Sequence, residues 1–119
     1  MRTMCFCMIL CVFCTLLFYG CDSRPLSYSE RGEIWKVYER ECQKCHKASG
    51  TGGIIGRLFF KIPDFTDTKW QDNASDSRLI IALANGKRKM PAYKNKLSND
   101  EIVDLVKVCV RSFYPQPKQ

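Results

Sequence analysis

The only histidine of the chain directly follows a pair of cysteines in RECQKCHKASG, residues 40–50. Cys42, Cys45 and His46 thus offer two thiols and one imidazole within a very short stretch. Cys-x-x-Cys-His is the attachment sequence of c-type haem. Two thiols can bond to one edge of the porphyrin, and the following imidazole then lies under the iron as a proximal ligand. Zinc, a redox-active dithiol and chance are the alternatives.

The zinc and dithiol alternatives fit the rest of the sequence poorly. A structural zinc site needs four ligands, and the only further thiol beyond the N-terminal region is Cys109, on a distant helical stripe. A thioredoxin-like dithiol is expected next to a strand, and no segment alternates as a strand would. The spacing and the residue types therefore favour haem.

Met90 is the candidate for the second axial ligand of such a haem. It lies in KRKMPAYKNK, residues 87–96, where Pro91 prevents a continuous helix. The alternative is a methionine that fills a gap in the core. The neighbours Arg88 and Lys89 argue against that alternative, so the sequence predicts His46 and Met90 as the two iron ligands.

The periodicity of the chain predicts helices and no strands. Ser27 with Glu30, and Ser98 with Glu101, have the spacing of capping boxes and mark two helix starts. The predicted helices lie at about residues 28–45, 77–84 and 98–113. The stretch between Cys45 and Asp76 shows little periodicity. A segment of this length without regular structure is uncommon in a compact domain that has nothing bound at its centre. A bound group in the middle of an all-α fold explains it.

The N-terminus has the pattern of a signal peptide, predicted over residues 1–20. Arg2 precedes an apolar run over residues 4–19, shorter than the roughly 20 residues of a membrane span. Gly20-Cys21 resembles the site at which bacterial lipoproteins are cut and acylated, so Cys21 is a candidate lipid anchor. A soluble cleaved protein and an uncleaved anchor are the alternatives. The sequence predicts an exported, periplasmic protein.

The rest of the chain, after the predicted signal peptide, divides into three segments. Residues 21–28 are predicted as a tether, 29–114 as the folded domain and 115–119 as a C-terminal tail. Of the eight cysteines, only Cys42, Cys45 and Cys109 belong to the domain, which excludes a disulfide scaffold. The formal net charge of +7 falls by one when Arg2 is removed. This basic balance favours an acidic protein surface or an anionic membrane over nucleic acid, which an exported protein seldom meets.

Residues 29–113 resemble a small bacterial class I cytochrome c. The resemblance rests on Val37-Tyr38 before the Cys-x-x-Cys-His motif, PDFTD with a following tryptophan at 63–70, NGKRKMPAY at 85–93 and LSNDEI at 97–102. It implies a helical fold with long loops wrapped round one covalently bound haem c. It also implies coordination by His46 and Met90, and electron transfer between redox partner proteins.

The sequence departs from that family at three places. Ile34 stands where a glycine usually lets the first and last helices cross, so we expect a wider or locally rearranged crossing. Arg57 replaces a proline whose carbonyl accepts the second ring N–H of the histidine, although another backbone carbonyl can do this. Val108 or Cys109 occupies a position that is usually aromatic; the Cys109 thiol is expected to be buried and inert.

With both axial positions filled, the sequence predicts an electron carrier and not an enzyme. A haem enzyme or gas sensor with a displaceable Met90 and a fixed subunit of a respiratory complex are the alternatives. Trp70 and Tyr93 are candidates for the wall of the haem pocket or for plain core packing. A basic cluster around Met90 predicts docking to an acidic redox partner, unless it is only a solvated loop. The cluster comprises Lys87, Arg88, Lys89, Lys94 and Lys96.

Overall fold

The structure is a computed structural model that describes residues 25–115. Its helices are α1 (Tyr28–Glu41), α2 (Gln43–His46), α3 (Ile54–Phe60), α4 (Thr68–Asn73), α5 (Asp76–Asn85) and α6 (Asn99–Asp104). Helix α6 continues as a π-helix (Leu105–Cys109) and a 3₁₀ turn (Val110–Phe113); the three are here called the C-terminal helix. The only β-type pairing within residues 25–115 is an isolated bridge, so the predicted all-α class is confirmed.

Several predicted features lie outside residues 25–115, the part of the chain that the structure describes. The predicted signal peptide over residues 1–20, the candidate anchor Cys21 and part of the predicted tether lie outside the described residues, as does most of the predicted tail. Among the helices of residues 25–115, none is long and apolar enough to cross a membrane.

Helix α1 begins at the capping box that the sequence predicts. The Glu30 amide donates to the Ser27 hydroxyl at 3.2 Å, and the Ser27 amide donates to the Glu30 carboxylate at 2.7 Å. The two bonds satisfy backbone groups that a helix start leaves without partners. Ile34, Val37 and Tyr38 are the buried residues of α1, and the Cys-x-x-Cys-His motif follows directly at its end.

The C-terminal helix crosses α1 at Ile34. The fully buried thiol of Cys109 lies 3.8 Å from the carbonyl oxygen of Ile34. Cys109 is also the last residue of the π-helix, in which one turn is wider than in an α-helix. The sequence predicts a rearranged crossing because Ile34 replaces glycine, and the π-helix is a local rearrangement at this crossing.

The expectation of irregular chain between Cys45 and Asp76 is wrong in part, because α3 and α4 lie there. Helix α3, IIGRLFF, is apolar on nearly all sides, so no helical period is visible in its sequence. Helix α4 is short and is capped by Asp67, whose carboxylate accepts from the amides of Lys69 at 2.9 Å and Trp70 at 3.3 Å. Side-chain capping, not periodicity, starts this helix.

One core joins α1, α4, α5 and the C-terminal helix. Several half-buried residues from different parts of the chain pack against it, among them Cys42, Trp70, Leu79, Leu83 and Met90. The buried residues of this core cluster are Ile34, Val37, Tyr38, Phe65, Tyr93, Leu97, Ile102, Leu105, Cys109 and Val110.

A buried glutamine fixes the part of the loop that reaches this core. The Gln71 side chain, 2% exposed, donates to the carbonyl oxygens of Phe65 at 2.7 Å and Val110 at 2.8 Å. Arg111 donates to the side-chain oxygen of Gln71 at 2.6 Å. The loop that carries Phe65 is therefore tied to the C-terminal helix through polar groups that are all paired.

Candidate functional site

The two motif thiols lie on one turn of backbone. Cys42 lies between α1 and α2, and its carbonyl accepts from the amides of Cys45 at 3.1 Å and His46 at 2.9 Å. Cys42 is half-buried against the core cluster, whereas Cys45 is exposed. Neither is in a disulfide. The turn therefore presents one thiol to the interior and one to the surface.

The surroundings of these thiols do not favour redox or zinc chemistry. Burial, with smaller effects of the charges on Glu41 and Cys45, raises the pKa of Cys42 to about 11. A reactive dithiol needs a lowered pKa, because the thiolate is the nucleophile. In the part of the chain that the structure describes, no three His, Cys, Asp or Glu side chains converge as a metal cluster. A structural zinc site thus lacks its ligand set.

His46 is held as a neutral ring. Its imidazole stacks on Phe65 with ring centroids 4.5 Å apart and planes 14° apart. Burial lowers the pKa of His46 to about 4, so the ring is unprotonated at neutral pH. A neutral imidazole is the form that binds metals.

The Nδ1 atom of His46 is buried and has no hydrogen-bond partner among residues 25–115. No backbone carbonyl of residues 25–115 therefore takes the place of the one lost with the family's proline; the ring is held by stacking on Phe65 and by burial. A buried polar atom without a partner is rare in a folded protein and calls for an explanation. The protein thus lacks, at this nitrogen, the hydrogen bond that usually orients a metal-binding histidine.

Met90 sits at the end of a tight turn. The Lys87 amide donates to the Met90 carbonyl at 3.1 Å, and the Met90 amide donates to the Lys87 carbonyl at 3.0 Å. Beyond the turn, the Tyr93 amide donates to the Leu83 carbonyl of α5 at 3.0 Å. Met90 itself is half-buried against the core cluster. Its position is thus set by backbone bonds on both sides.

Gly86 makes this turn sterically feasible. It has φ +76° and ψ 163°, a region of backbone conformation that essentially only glycine adopts. A Cβ atom at this position would lie 2.8 Å from the Met90 carbonyl oxygen and 2.9 Å from the Ala92 amide nitrogen. The Met90 segment therefore passes closer to Gly86 than any other residue type allows.

Three of the four predicted haem-binding residues contact the same core cluster. Cys42 and Met90 pack against the core cluster, and His46 stacks on Phe65, a member of that cluster. Cys45 lies beside them at the surface. Apolar side chains with a thioether, an imidazole and two thiols are suited to a large apolar group with a metal at its centre. The residues present therefore fit a haem.

Comparison with known proteins agrees with this chemistry. A family profile described as "Cytochrome C oxidase, cbb3-type, subunit III" matches residues 30–107. The chain belongs to this family. A cytochrome c6 from Leptolyngbya boryana is 38% identical over 69 residues, which are 56% of this chain and 74% of that protein. These similarities make the chain a haem-based electron carrier of the cytochrome c family.

Solved structures share the fold of this cytochrome c. One described as KustC0563 c-type cytochrome has a TM-score of 0.61 and 33% identity over 67% of this chain and 95% of its own. A point mutant of the same protein has a TM-score of 0.60 and 32% identity over 67% of this chain and 96% of its own. The predicted class I mono-haem cytochrome c fold is thereby confirmed.

Sequence reasoning missed or underused three residues of the site. It gave Phe65 no separate role, although its ring stacks on His46. It left Tyr93 between haem wall and core packing; Tyr93 is 6% exposed and part of the core cluster. It quoted Gly86 only as part of the segment at residues 85–93 and gave it no role in the close approach of the Met90 backbone.

The basic cluster around Met90 divides into two parts. Lys94 donates to the Asn85 side chain at 3.2 Å, and Lys96 pairs with Glu41 at 3.0 Å. The other three are exposed and form no ion pair with any of the residues 25–115: Lys87, Arg88 and Lys89.

Proposed function

We propose that this cytochrome c carries one electron at a time on a single haem c. Cys42 and Cys45 hold the haem by thioether bonds, and His46 and Met90 bind its iron. The observation that supports this most is that His46 and Met90 reach one core cluster beside the turn that carries both thiols. When bound, the haem supplies an iron that changes reversibly between the ferric and ferrous states.

His46 is prepared to bind iron without losing a proton. Because burial keeps the pKa of its ring well below neutrality, no protonated form competes with the metal at neutral pH. Phe65 holds the plane of the His46 ring by stacking, so the imidazole loses little orientational freedom when it binds iron. His46 is therefore the strong, preorganised axial ligand.

Met90 supplies the weaker axial ligand and closes the sixth position. Its thioether is neutral and weakly donating, which raises the reduction potential relative to a more donating ligand. With both axial positions occupied by protein side chains, a substrate cannot reach the iron. This supports electron transfer over oxygen activation, peroxidase chemistry or gas sensing.

Optical spectroscopy of the purified protein tests this assignment. The ferric protein should show the weak far-red charge-transfer band of sulfur ligation, and Met90→Ala should abolish it, lower the reduction potential and open the ferrous iron to carbon monoxide. Lys89→Ala, in the same turn, is the control and should change none of these. If the wild-type ferrous protein binds carbon monoxide rapidly and Met90→Ala differs little, the sixth position is open and the sensor or enzyme alternative replaces this proposal.

The redox partners are proposed to be proteins with an acidic docking surface. The exposed Lys87, Arg88 and Lys89 belong to the turn that carries Met90, so they surround the proposed ligand with unpaired positive charge. Such a surface speeds encounter with an acidic partner more than it strengthens the complex. Nucleic acid is not proposed as a partner.

Export to the periplasm with acylation at Cys21 completes the proposal. It rests on the charged and apolar leader and on Gly20-Cys21. Several acyl chains on one residue would hold the domain at a membrane, whereas a single chain binds only marginally. The intact mass of the native protein tests it, and a mass that fits an unmodified chain starting after Cys21 would exclude the anchor.

A further inference from the structure

Two buried tyrosines hold the two ends of the Cys-x-x-Cys-His motif. The Tyr38 hydroxyl donates to the carbonyl oxygen of Lys47 at 2.9 Å, directly after the motif. The Tyr93 hydroxyl donates to the carbonyl oxygen of Glu41 at 3.1 Å, directly before it. Tyr38 is 2% exposed and Tyr93 6% exposed. The bonds are alike in chemistry and burial but differ in what they join.

The Tyr38 bond is local, whereas the Tyr93 bond connects two distant parts of the chain. Tyr38 and Lys47 both belong to the region of α1 and α2, on the histidine side of the site. Tyr93 follows the Met90 turn, and its amide is bound to the Leu83 carbonyl. The Tyr93 hydroxyl therefore ties the methionine segment to the end of the helix from which the thiols project.

Lys96 reinforces this connection from the surface. Its ammonium pairs with the Glu41 carboxylate at 3.0 Å and lies 5.9 Å from the centre of the Tyr93 ring. The Lys96 side chain is 62% exposed, so solvent weakens the ion pair. Of the two contacts with Glu41, the hydrogen bond from the buried Tyr93 is the stronger, because polar groups left unpaired in the interior are costly. Burial raises the pKa of Tyr93 to about 12, so the hydroxyl remains a donor at neutral pH.

We propose that Tyr93 is a positioning residue for Met90: its hydroxyl bond to Glu41 holds the methionine segment against the attachment turn and keeps the thioether on the iron. The inference rests on the proposed ligation by His46 and Met90. A methionine–iron bond is weak enough that small changes in the tether alter how often it opens. Tyr93 does not touch the iron in this role and acts only through the segment that carries Met90.

Replacement by phenylalanine tests the hydroxyl alone. Tyr93→Phe keeps the ring in the core cluster and removes the bond to Glu41. Cyanide binds ferric iron only after Met90 has left, so its binding rate at neutral pH reports the opened fraction. We expect Tyr93→Phe to raise that rate roughly fivefold, as the loss of one hydrogen bond implies, and to weaken the far-red band.

Tyr38→Phe is the matched control, since it removes an equally buried hydroxyl bond on the histidine side. It should lower the unfolding midpoint in denaturant about as much as Tyr93→Phe, yet leave the cyanide rate nearly unchanged. Equal acceleration in both variants would mean general loosening and would overturn the proposal. An unchanged rate in Tyr93→Phe would overturn it as well.

Two further measurements complete the test. Lys96→Met changes only the exposed reinforcement and should raise the cyanide rate by about twofold. If Tyr93→Phe yields no holoprotein, an unchanged rate in Lys96→Met overturns the proposal. Met90→Ala gives the rate with the sixth position permanently open. A wild-type rate equal to that of Met90→Ala would refute the ligation itself, whereas a slow wild-type rate that Tyr93→Phe leaves unchanged refutes only the role of Tyr93.

Discussion

The two thiols of the motif face different surroundings, although a haem attached at one edge needs both. Cys42 is half-buried and packs against the core cluster, whereas Cys45, on the same turn of backbone, is exposed. The loss of Cys42 would therefore remove a core contact together with the proposed covalent bond to haem. The loss of Cys45 would remove the proposed bond alone.

Single alanine variants should separate these contributions. In the wild-type protein, acid–acetone extraction should leave the colour with the polypeptide. Cys42→Ala and Cys45→Ala should each yield less holoprotein, with the greater loss for Cys42→Ala, and shift the ferrous absorption to longer wavelength because one thioether is missing. Cys109→Ala is the control for a buried thiol outside the motif: it should cost about 1 kcal/mol of unfolding free energy and leave the colour attached. Haem that passes into the organic phase from the wild type would contradict covalent attachment.

The sequence could predict the residues of the motif but not the contacts that orient them. Cys42, Cys45 and His46 are adjacent in the chain, and their spacing alone indicates the chemistry. The stacking of His46 on Phe65 and the bond from Tyr93 to Glu41 depend on how distant segments meet. No local pattern carries that information.

The turn that presents Met90 depends on the conformation of Gly86. Gly86→Ala would place a Cβ atom against the Met90 carbonyl in a backbone region that alanine avoids. We expect a cost of about 1–3 kcal/mol, with a weaker far-red band and faster cyanide binding as the turn moves. Denaturant unfolding and the optical spectrum of the holoprotein measure both effects.

Gly32→Ala is the matched control for that variant. Gly32 lies within α1, and a Cβ atom there meets nothing within 4 Å. Alanine in a helix interior is better than glycine by about 0.5–1 kcal/mol, so this variant should be slightly more stable with an unchanged spectrum. A Gly86→Ala protein as stable as wild type, with its far-red band intact, would show that the turn does not need glycine.

At the level of elements, the sequence predicted the helices that carry their own start and period. Capping boxes mark the starts of α1 and the C-terminal helix, and both lie where expected. Helix α3 was missed because its own residues are apolar on nearly every face and show no period, and the π-helix because it lies where the C-terminal helix meets Ile34 of a distant segment. Elements whose form depends on tertiary contacts cannot be predicted from the local sequence alone.

Charge acts at the scale of the whole molecule. The protein has a formal net charge of +7, so a general attraction for anions exists apart from any local cluster. A local effect of the Met90 turn therefore has to be measured against an equal charge change elsewhere. Lys69 in α4 and Lys107 in the C-terminal helix are exposed lysines suited to that comparison.

Electron exchange with small reagents tests where electrons leave the protein. Hexacyanoferrate(III), an anion, should oxidise the ferrous protein faster at low salt and slow as ionic strength rises, because exposed charges are screened over about 8 Å at physiological salt. Lys87→Glu with Lys89→Glu should slow this reaction by about tenfold at low salt and leave the reduction potential nearly unchanged. Lys69→Glu with Lys107→Glu alters the net charge equally and should slow it far less. Equal slowing by the two pairs would mean that only net charge matters, and the proposed docking surface at the Met90 turn would have no support.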